Sequence, residues 1–321
     1  MNLLVTGGAG FIGSEFVRNE IINNKNYNKI YVLDALTYAG NLENLTEVNK
    51  NSKFNFVLGD IKDSKIVNEL VSEVDLVVNF AAESHVDKSI LDATPFVENN
   101  ILGTQVLLDA IRRNKSKRFI QISTDEVYGT IDQGEWDENF PVLPNSPYAA
   151  SKAAADLLVI SYHHTYNLDL MITRSCNNFG PHQLIEKLIP LAITNLLRGY
   201  KIPVYGDGKN VREWIYVTDN CKYISALAEK GRSGQIYNIG SGFRISNLEL
   251  VFMILNIMQK DKDNIKFVSD RLGHDYRYAL NSNKAIRLIE NEFKSDFENM
   301  LINTINWYRE HPHIWDIKSK K

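Results

Sequence analysis

A chain of 321 residues, 44% apolar and 23% charged, is long enough for one large α/β unit carrying a smaller second domain. A formal net charge of −3 excludes a global attraction to nucleic acid or anionic lipid, so an anionic ligand has to be held by local groups. The two cysteines, Cys176 and Cys221, lack CxxC or His-rich surroundings and no apolar run reaches the ~18 residues of a membrane span; we expect no disulfide framework, no metal, no membrane anchor and a reducing cytoplasm.

In chain order, residues 3–6 read as a buried strand and 11–23 as the helix after it. The turn between them, Gly7-Gly8-Ala9-Gly10-Phe11-Ile12-Gly13, satisfies G-x-G-x-x-G from Gly8 and G-x-x-G-x-x-G from Gly7. In either register, missing side chains let N–H groups at a helix start approach a pyrophosphate. Residues 30–34 form the second strand, and Asp34 ends it 21 residues after Gly13. A carboxylate there accepts from a ribose hydroxyl and repels a 2′-phosphate, which favours NAD over NADP. The Asn- and Lys-rich stretch 23–29 reads as a solvated loop.

A third strand at 54–58 precedes Asp60 and Ile61, placed to contact adenine, and a helix at 65–72. The fourth strand, 76–81, runs into Ala81-Ala82, small enough for a cofactor to lie close, and then Ser84-His85, where His85 suits a structural hydrogen bond as well as direct chemistry. Residues 95–114 form a helix opening on proline. The strand at 119–123 then ends in Thr124-Asp125-Glu126, a hydroxyl and two adjacent carboxylates at the edge where open α/β sheets bind ligands. Two acids that close repel, and each loses solvation if covered.

The helix at 148–166 opens with Tyr148-Ala149-Ala150-Ser151-Lys152, a phenol and an ammonium one turn apart on one face. A cation beside a phenol lowers its pKa, and with the positive nicotinamide ring of NAD⁺ also near, Tyr148 is expected to become a phenolate able to accept a hydroxyl proton. After a strand at 170–173 the pattern loosens into Gly- and Pro-punctuated segments, with 248–255 a core-facing helix through Leu248, Val251, Phe252 and Leu255. The expected architecture is a doubly wound parallel Rossmann sheet over residues 1–175 and a smaller mixed α/β substrate domain over 176–321. Parts of 211–239, at 214–217 and 237–239, are expected to return to the large sheet.

The segments GGAGFIGS, LTYAGN, AAESHVD, STDEVYG, SPYAASKA, NNFGP, EKLIPL, YGDG and DRLGHDYRY span nearly the whole chain. Together they resemble the nucleotide-sugar 4,6-dehydratases of the extended short-chain dehydrogenase/reductase family. The resemblance implies oxidation of the sugar at C4, loss of water across C5 and C6, and return of hydride to C6. It implies NAD, held by Gly7, Gly10, Phe11, Ile12, Gly13, Asp34, Leu36, Thr37, Asp60, Ile61, Ala81, Ala82, Ser84, Asn99, Tyr148, Lys152 and Asn178. It makes Glu126 the base at C5, Asp125 the acid at the C6 oxygen, and Thr124 a hydrogen-bond donor to the C4 oxygen and a helper of Tyr148. Asp125 should then carry a raised pKa, since one protonated carboxyl resolves the repulsion.

The implied substrate is dTDP-glucose or a closely related nucleotide sugar, with UDP-glucose the alternative. Ser84, Thr124, Asn177 and the 186–190 segment, through Lys187 and Leu188, would approach its sugar and diphosphate. Pro203 and Tyr205 would enclose the base, Arg212, Arg271 and His274 would meet the diphosphate, and Asn247 and Tyr278 would complete the site. The resemblance also implies a homodimer packed through the helices at 95–114 and 148–166. Ala149, Phe179 and Lys88 depart from residues usual in the family, and 289–294 lacks its usual Gly-Trp and Pro; none of these is a reacting group. A sister epimerase or decarboxylase would share Tyr148 and Lys152 without needing an acid and base for elimination, and a catalytically idle NAD-binding protein would need none of the five polar groups.

Overall fold

The computed structural model describes residues 1–24, 26–114 and 117–315. Strands β1 (Asn2–Thr6), β2 (Lys29–Asp34), β3 (Phe54–Leu58), β4 (Leu76–Asn79), β5 (Arg118–Thr124) and β6 (Leu170–Ser175) are joined by Ile236–Ile239 in one sheet. Its order is β3-β2-β1-β4-β5-β6-(Ile236–Ile239), with every neighbouring pair parallel. Helices cover both faces, so the strands are continuous apolar runs; Leu3, Leu4 and Val5 all have no exposed surface. Leu3, Val5, Phe16 and Tyr223 belong to the core on one face, Leu4, Leu33, Leu107 and Phe119 to that on the other.

Strand order reverses between β1 and β4, which opens a crevice at their C-terminal ends. The seam beneath it is polar and satisfied: Thr6 Oγ1 donates to Asn79 Oδ1 at 2.6 Å, and Asn79 Nδ2 donates to Gln121 Oε1 at 2.8 Å. A further core gathers Phe179, Ile193, Trp214, Leu250, Ile254, Leu301 and Tyr308 from the second half of the chain. The large unit does not end at one cut. Helix Val217–Lys230, strand Ile236–Ile239 and helix Asn283–Ile289 contribute Tyr223, Ile224, Ile239, Ala285 and Ile289 to the first core.

Several expectations are corrected. Residues 237–239 lie in the large sheet, but 214–217 do not, Val217 opening the helix Val217–Lys230. Strand Val211–Tyr216 lies between Asn177–Phe179 and Arg244–Ser246 in a separate three-stranded sheet, because the edge beside β6 is taken by Ile236–Ile239. β4 ends at Asn79, before Ala81: the chain peels away where the Gly7 turn crowds it, and a Cβ on Gly7 would lie 2.6 Å from the Ala81 nitrogen. The helix expected over 95–114 contains a wide π-helical stretch, Val97–Leu102, before Gly103–Arg113. Asn100 in that stretch points inward, accepting from the Glu83 N–H and donating to Ser151 Oγ. Within the 23–29 loop Tyr27 is buried in the first core, while Lys25 lies outside the described residues.

The core face of helix Asn247–Ile257 is Leu250, Val251, Ile254 and Leu255, with Leu248 and Phe252 only half-buried. A Ser246–Glu249 capping box begins this helix and fixes Asn247 at its first turn. The 289–294 stretch packs through Phe293 against Tyr223, ring centroids 5.2 Å apart, so the missing Gly-Trp and Pro leave that end ordered by an aromatic contact.

Candidate active site

The glycine turn is built for a backbone cradle. Gly7 has φ +66° and touches Ala81, and a Cβ on Gly13 would lie 2.4 Å from the Gly7 carbonyl oxygen; neither position admits a side chain. Gly10 precedes helix Phe11–Asn23 and offers no side-chain cap, so the first N–H groups of that helix remain for an anion. Asp34 already accepts from the N–H of Ala9 at 2.9 Å and of Leu36 at 2.8 Å, locking the turn. An ionised carboxylate has about four lone-pair directions, so it keeps capacity for a ribose hydroxyl. These residues fit a dinucleotide.

Sixteen of the seventeen positions expected to hold the cofactor line one crevice running from the glycine turn across Asp60, Ile61, Ala81, Ala82, Ser84 and Asn99 to Tyr148, Lys152 and Asn178. Leu36 does not: it packs partly buried against the first core, and only its N–H serves the site, by binding Asp34. The expected substrate residues Asn177, Lys187, Leu188, Pro203, Tyr205, Arg212, Asn247, Arg271, His274 and Tyr278 line a second cavity. Ser84 and Thr124 belong to the first. Of the 186–190 segment, Glu186, Lys187 and Leu188 face the cavity, whereas Ile189 and Pro190 are buried in the wall behind. The two cavities share Glu126, Asn177, Asn178, Gln183 and Lys187, so they form one continuous cleft with Glu126 at the junction.

Thr124 begins the 3-10 turn Asp125–Tyr128; its hydroxyl accepts from the Glu126 N–H at 3.2 Å and donates to Asp125 Oδ1 at 3.2 Å. Strand β5 ends there, so both acids are delivered to the crevice edge. Asp125 is 1% exposed, and its carboxyl is raised well above the usual range by burial, then by Glu126 and Glu213. The raised pKa expected for Asp125 is therefore present, for the expected reasons. Glu126 is also raised by burial, but Lys187, Arg212 and Arg271 pull it back. One of the adjacent acids is thus disposed to hold its proton, and the other sits among cations.

At Tyr148 the protein's own groups work against the phenolate expected beside Lys152 and the nicotinamide ring. The phenol is raised well above the ordinary value by burial and by Glu126 and Asp125. Lys152 stands one turn away on the same helix, yet its Nζ donates to the Ile122 carbonyl at 2.6 Å, and burial lowers its own pKa to about 8. Thr124 is the group that favours the phenolate.

Three cations of the cleft are matched to no carboxylate within ion-pair distance among the described residues: Lys152, Lys187 and Arg212. Lys187 Nζ donates to the Ser84 carbonyl at 2.7 Å, and Arg212 donates to the Asp275 carbonyl at 2.8 Å with its guanidinium 4.1 Å from the Tyr278 ring centroid. Such cations are available to anionic oxygens. Arg271 differs, being paired with Asp87 at 2.6 Å, and His274 is bonded through Nδ1 to Asp270 at 2.7 Å, so each would meet a diphosphate with its remaining donors. His85 is held 3.4 Å from Glu186, which favours its structural reading. On the cleft walls Asp125 Oδ2, Asn177 Oδ1, Asn178 Oδ1, Gln183 Oε1, Glu186 Oε1 and Asn247 Oδ1 are buried without a partner among the described residues, as befits a polar ligand site.

Sequence reasoning did not single out Asp87, Gln183, Trp214 or Asp275 as site residues, though all line the second cavity. Asp87 and Asp275 stand inside AAESHVD and DRLGHDYRY, where their roles as partners of Arg271 and Tyr278 were open to notice; Tyr278 donates to Asp275 Oδ2 at 2.6 Å.

Comparison with known proteins agrees with this geometry. A family model described as GDP-mannose 4,6 dehydratase matches residues 4–304. The chain is 46% identical over 319 residues to a dTDP-glucose 4,6-dehydratase of Actinoplanes sp., covering 98% of this chain and 100% of that protein. It is 51% identical over 308 residues to the low-salt glycan biosynthesis protein Agl12 of Haloferax volcanii, covering 96% and 98% respectively. It superposes with TM-score 0.96 and 48% identity on the crystal structure of DesIV, a dTDP-glucose 4,6-dehydratase from Streptomyces venezuelae with NAD and TYD bound, over 98% of this chain and 99% of that one.

Proposed function

The chain belongs to the GDP-mannose 4,6 dehydratase family and, within it, with the dTDP-glucose 4,6-dehydratases, and from that premise we propose that it converts dTDP-glucose to dTDP-4-keto-6-deoxyglucose and water. NAD, when bound, supplies the oxidant for C4 and the hydride later returned to C6, so no net reduced cofactor leaves. The observation carrying this reading is that a phenol, a hydroxyl and two unlike carboxyls, Tyr148, Thr124, Asp125 and Glu126, face one crevice beside the dinucleotide cradle. An epimerase needs no acid and base for elimination, and Asp125 and Glu126 supply that pair. The idle NAD-binding reading leaves all four groups unexplained.

In the proposed roles, Tyr148 takes the C4 hydroxyl proton while Thr124 hydrogen-bonds the C4 oxygen. Lys152, on the same helix face, holds the nicotinamide ribose. Glu126 removes the C5 proton, made acidic by the adjacent C4 carbonyl, and Asp125 protonates the departing C6 hydroxyl. Both catalytic carboxyls are raised by burial, but Asp125 has the like-charged neighbours and Glu126 the cations, which suits acid and base respectively. Lys187 and Arg212 neutralise the diphosphate; Asn177 and Leu188 border the sugar, and Pro203 and Tyr205 the base. A thymidine nucleotide is preferred to a uridine one on the strength of the relatives, although one methyl contributes only about 1–3 kcal/mol of selectivity.

Incubation with dTDP-glucose in D₂O tests the reading. A 6-deoxy product with deuterium at C5 supports it; C4 inversion without water loss rejects it. The pH profile of kcat should be bell-shaped. Glu126 must be ionised, so the rate falls as pH drops through its raised value. Asp125 must be protonated, so the rate falls as pH rises through its own. In Asp125→Asn the residual alkaline limb should be only that of Lys152, near its value of about 8. Wild-type turnover in a folded Asp125→Asn protein would remove Asp125 from the acid role.

We also infer a homodimer. The helices Gly103–Arg113 and Pro147–Tyr166 lie side by side with the π-helical stretch, and Val97, Leu102 and Leu157 are 50%, 47% and 55% exposed on them. Sedimentation is expected to give a dimer that Leu157→Glu splits; a wild-type monomer would reject the inference. No described helix is long and apolar enough to cross a membrane. Two buried free thiols suit the reducing cytoplasm expected for the chain.

A further inference from the structure

Behind the reacting groups lies a buried ionic chain that none of the assigned steps uses. Asp156 follows Lys152 by one turn on helix Pro147–Tyr166, is fully buried, and accepts from Arg174 Nε at 2.9 Å. Arg174, on β6, is 2% exposed, and its guanidinium carbon lies 4.7 Å from the centroid of the Tyr128 ring. Tyr128 closes the turn Asp125–Tyr128 that carries the two acids. Its ring stacks on Trp136 at 5.3 Å and its hydroxyl donates to Asn238 Oδ1 at 2.9 Å. Asn238 is the register partner of Arg174 across the sheet.

Burying a guanidinium is costly, and a hydrophobic pair of similar volume would often hold a core as well, so stability alone is a weak reason for this arrangement. Its geometry is more telling. A planar cation bonds a carboxylate through its edge while lying against an aromatic ring, which an ammonium cannot do in the same way. Arg174 thereby touches both elements whose spacing the chemistry requires: the helix bearing Tyr148 and Lys152, and the turn bearing Asp125 and Glu126.

We propose that Arg174 is a positioning residue that sets the oxidising pair against the eliminating pair through the Asp156–Arg174–Tyr128 chain. The inference rests on the dehydratase reading above. Oxidation needs Tyr148 at the C4 hydroxyl, and elimination needs Glu126 and Asp125 at C5 and C6 of the same ring. A small shift of the turn relative to the helix therefore slows the second event more than the first, since misplacements of about 1 Å can cost on the order of 10²-fold.

The test compares wild type with Arg174→Lys, Tyr128→Leu and Tyr128→Phe in single turnovers with dTDP-glucose in D₂O. It follows reduced nicotinamide, quenched 4-keto sugar still bearing its C6 hydroxyl, and deuterium at C5. In Arg174→Lys and Tyr128→Leu, elimination is expected to slow ~10–10²-fold while oxidation changes little, so the hydroxylated 4-keto sugar accumulates. Tyr128→Phe, which keeps the ring against Arg174 and loses the hydroxyl with its contacts to Asn238 and Arg174, should retain wild-type partitioning if the ring carries the positioning. If Arg174→Lys does not fold, Tyr128→Leu decides. Equal slowing of both events, or unchanged partitioning in folded variants, overturns the inference and leaves Arg174 a structural ion. A wild-type protein that puts no deuterium at C5 would instead sink the dehydratase reading itself.

Discussion

Glu126→Gln is expected to lower turnover by ~10²–10⁴-fold while leaving the first oxidation intact. The substitution keeps the shape of the side chain and removes only its ability to take the C5 proton. Burial already disfavours the ionised form of Glu126, so a neutral amide there should not reduce stability, and the thermal midpoint should stay at or above that of wild type. The signature is specific: reduced cofactor builds up in a burst, and C5 of recovered sugar carries no deuterium. Turnover near the wild-type rate in a folded protein would remove Glu126 from the role of base.

Tyr148→Phe should cost a similar ~10²–10⁴-fold but stop the reaction earlier, with no burst of reduced cofactor. The phenol oxygen is the only group removed. The ring keeps its edge contact with Phe96, centroids 6.3 Å apart, and Lys152 keeps its bond to the Ile122 carbonyl. Cofactor affinity should therefore be close to that of wild type. The two variants separate the steps: one halts after C4 oxidation, the other before it. A burst in Tyr148→Phe would show that another group accepts the hydroxyl proton.

The parts of the site that were legible in the chain are those in which chemistry and local geometry are neighbours in sequence. The Gly7–Gly13 turn sits between strand and helix, Asp34 at the end of the next strand, and Thr124-Asp125-Glu126 at the end of β5. Even there, spacing was an incomplete guide. Tyr148 and Lys152 share a helix face, but the ammonium turns to the Ile122 carbonyl, and desolvation with two nearby carboxyls raises the phenol. Leu36 lies within the NAD-facing segment yet serves through its N–H alone.

The chain itself determined the doubly wound sheet, the dinucleotide turn and which side chains stand as candidates for the chemistry, because period, glycine placement and strand ends act over a few residues. Tertiary structure alone decided which cations are paired. Arg271 meets Asp87 across 184 residues while Arg212 meets none of the described carboxylates, and Arg174 bridges a helix and a turn that sequence separates. Protonation followed the same division, since an acid's pKa depends on burial and on charges brought in from remote strands and loops, and neither is a property of its neighbours along the chain.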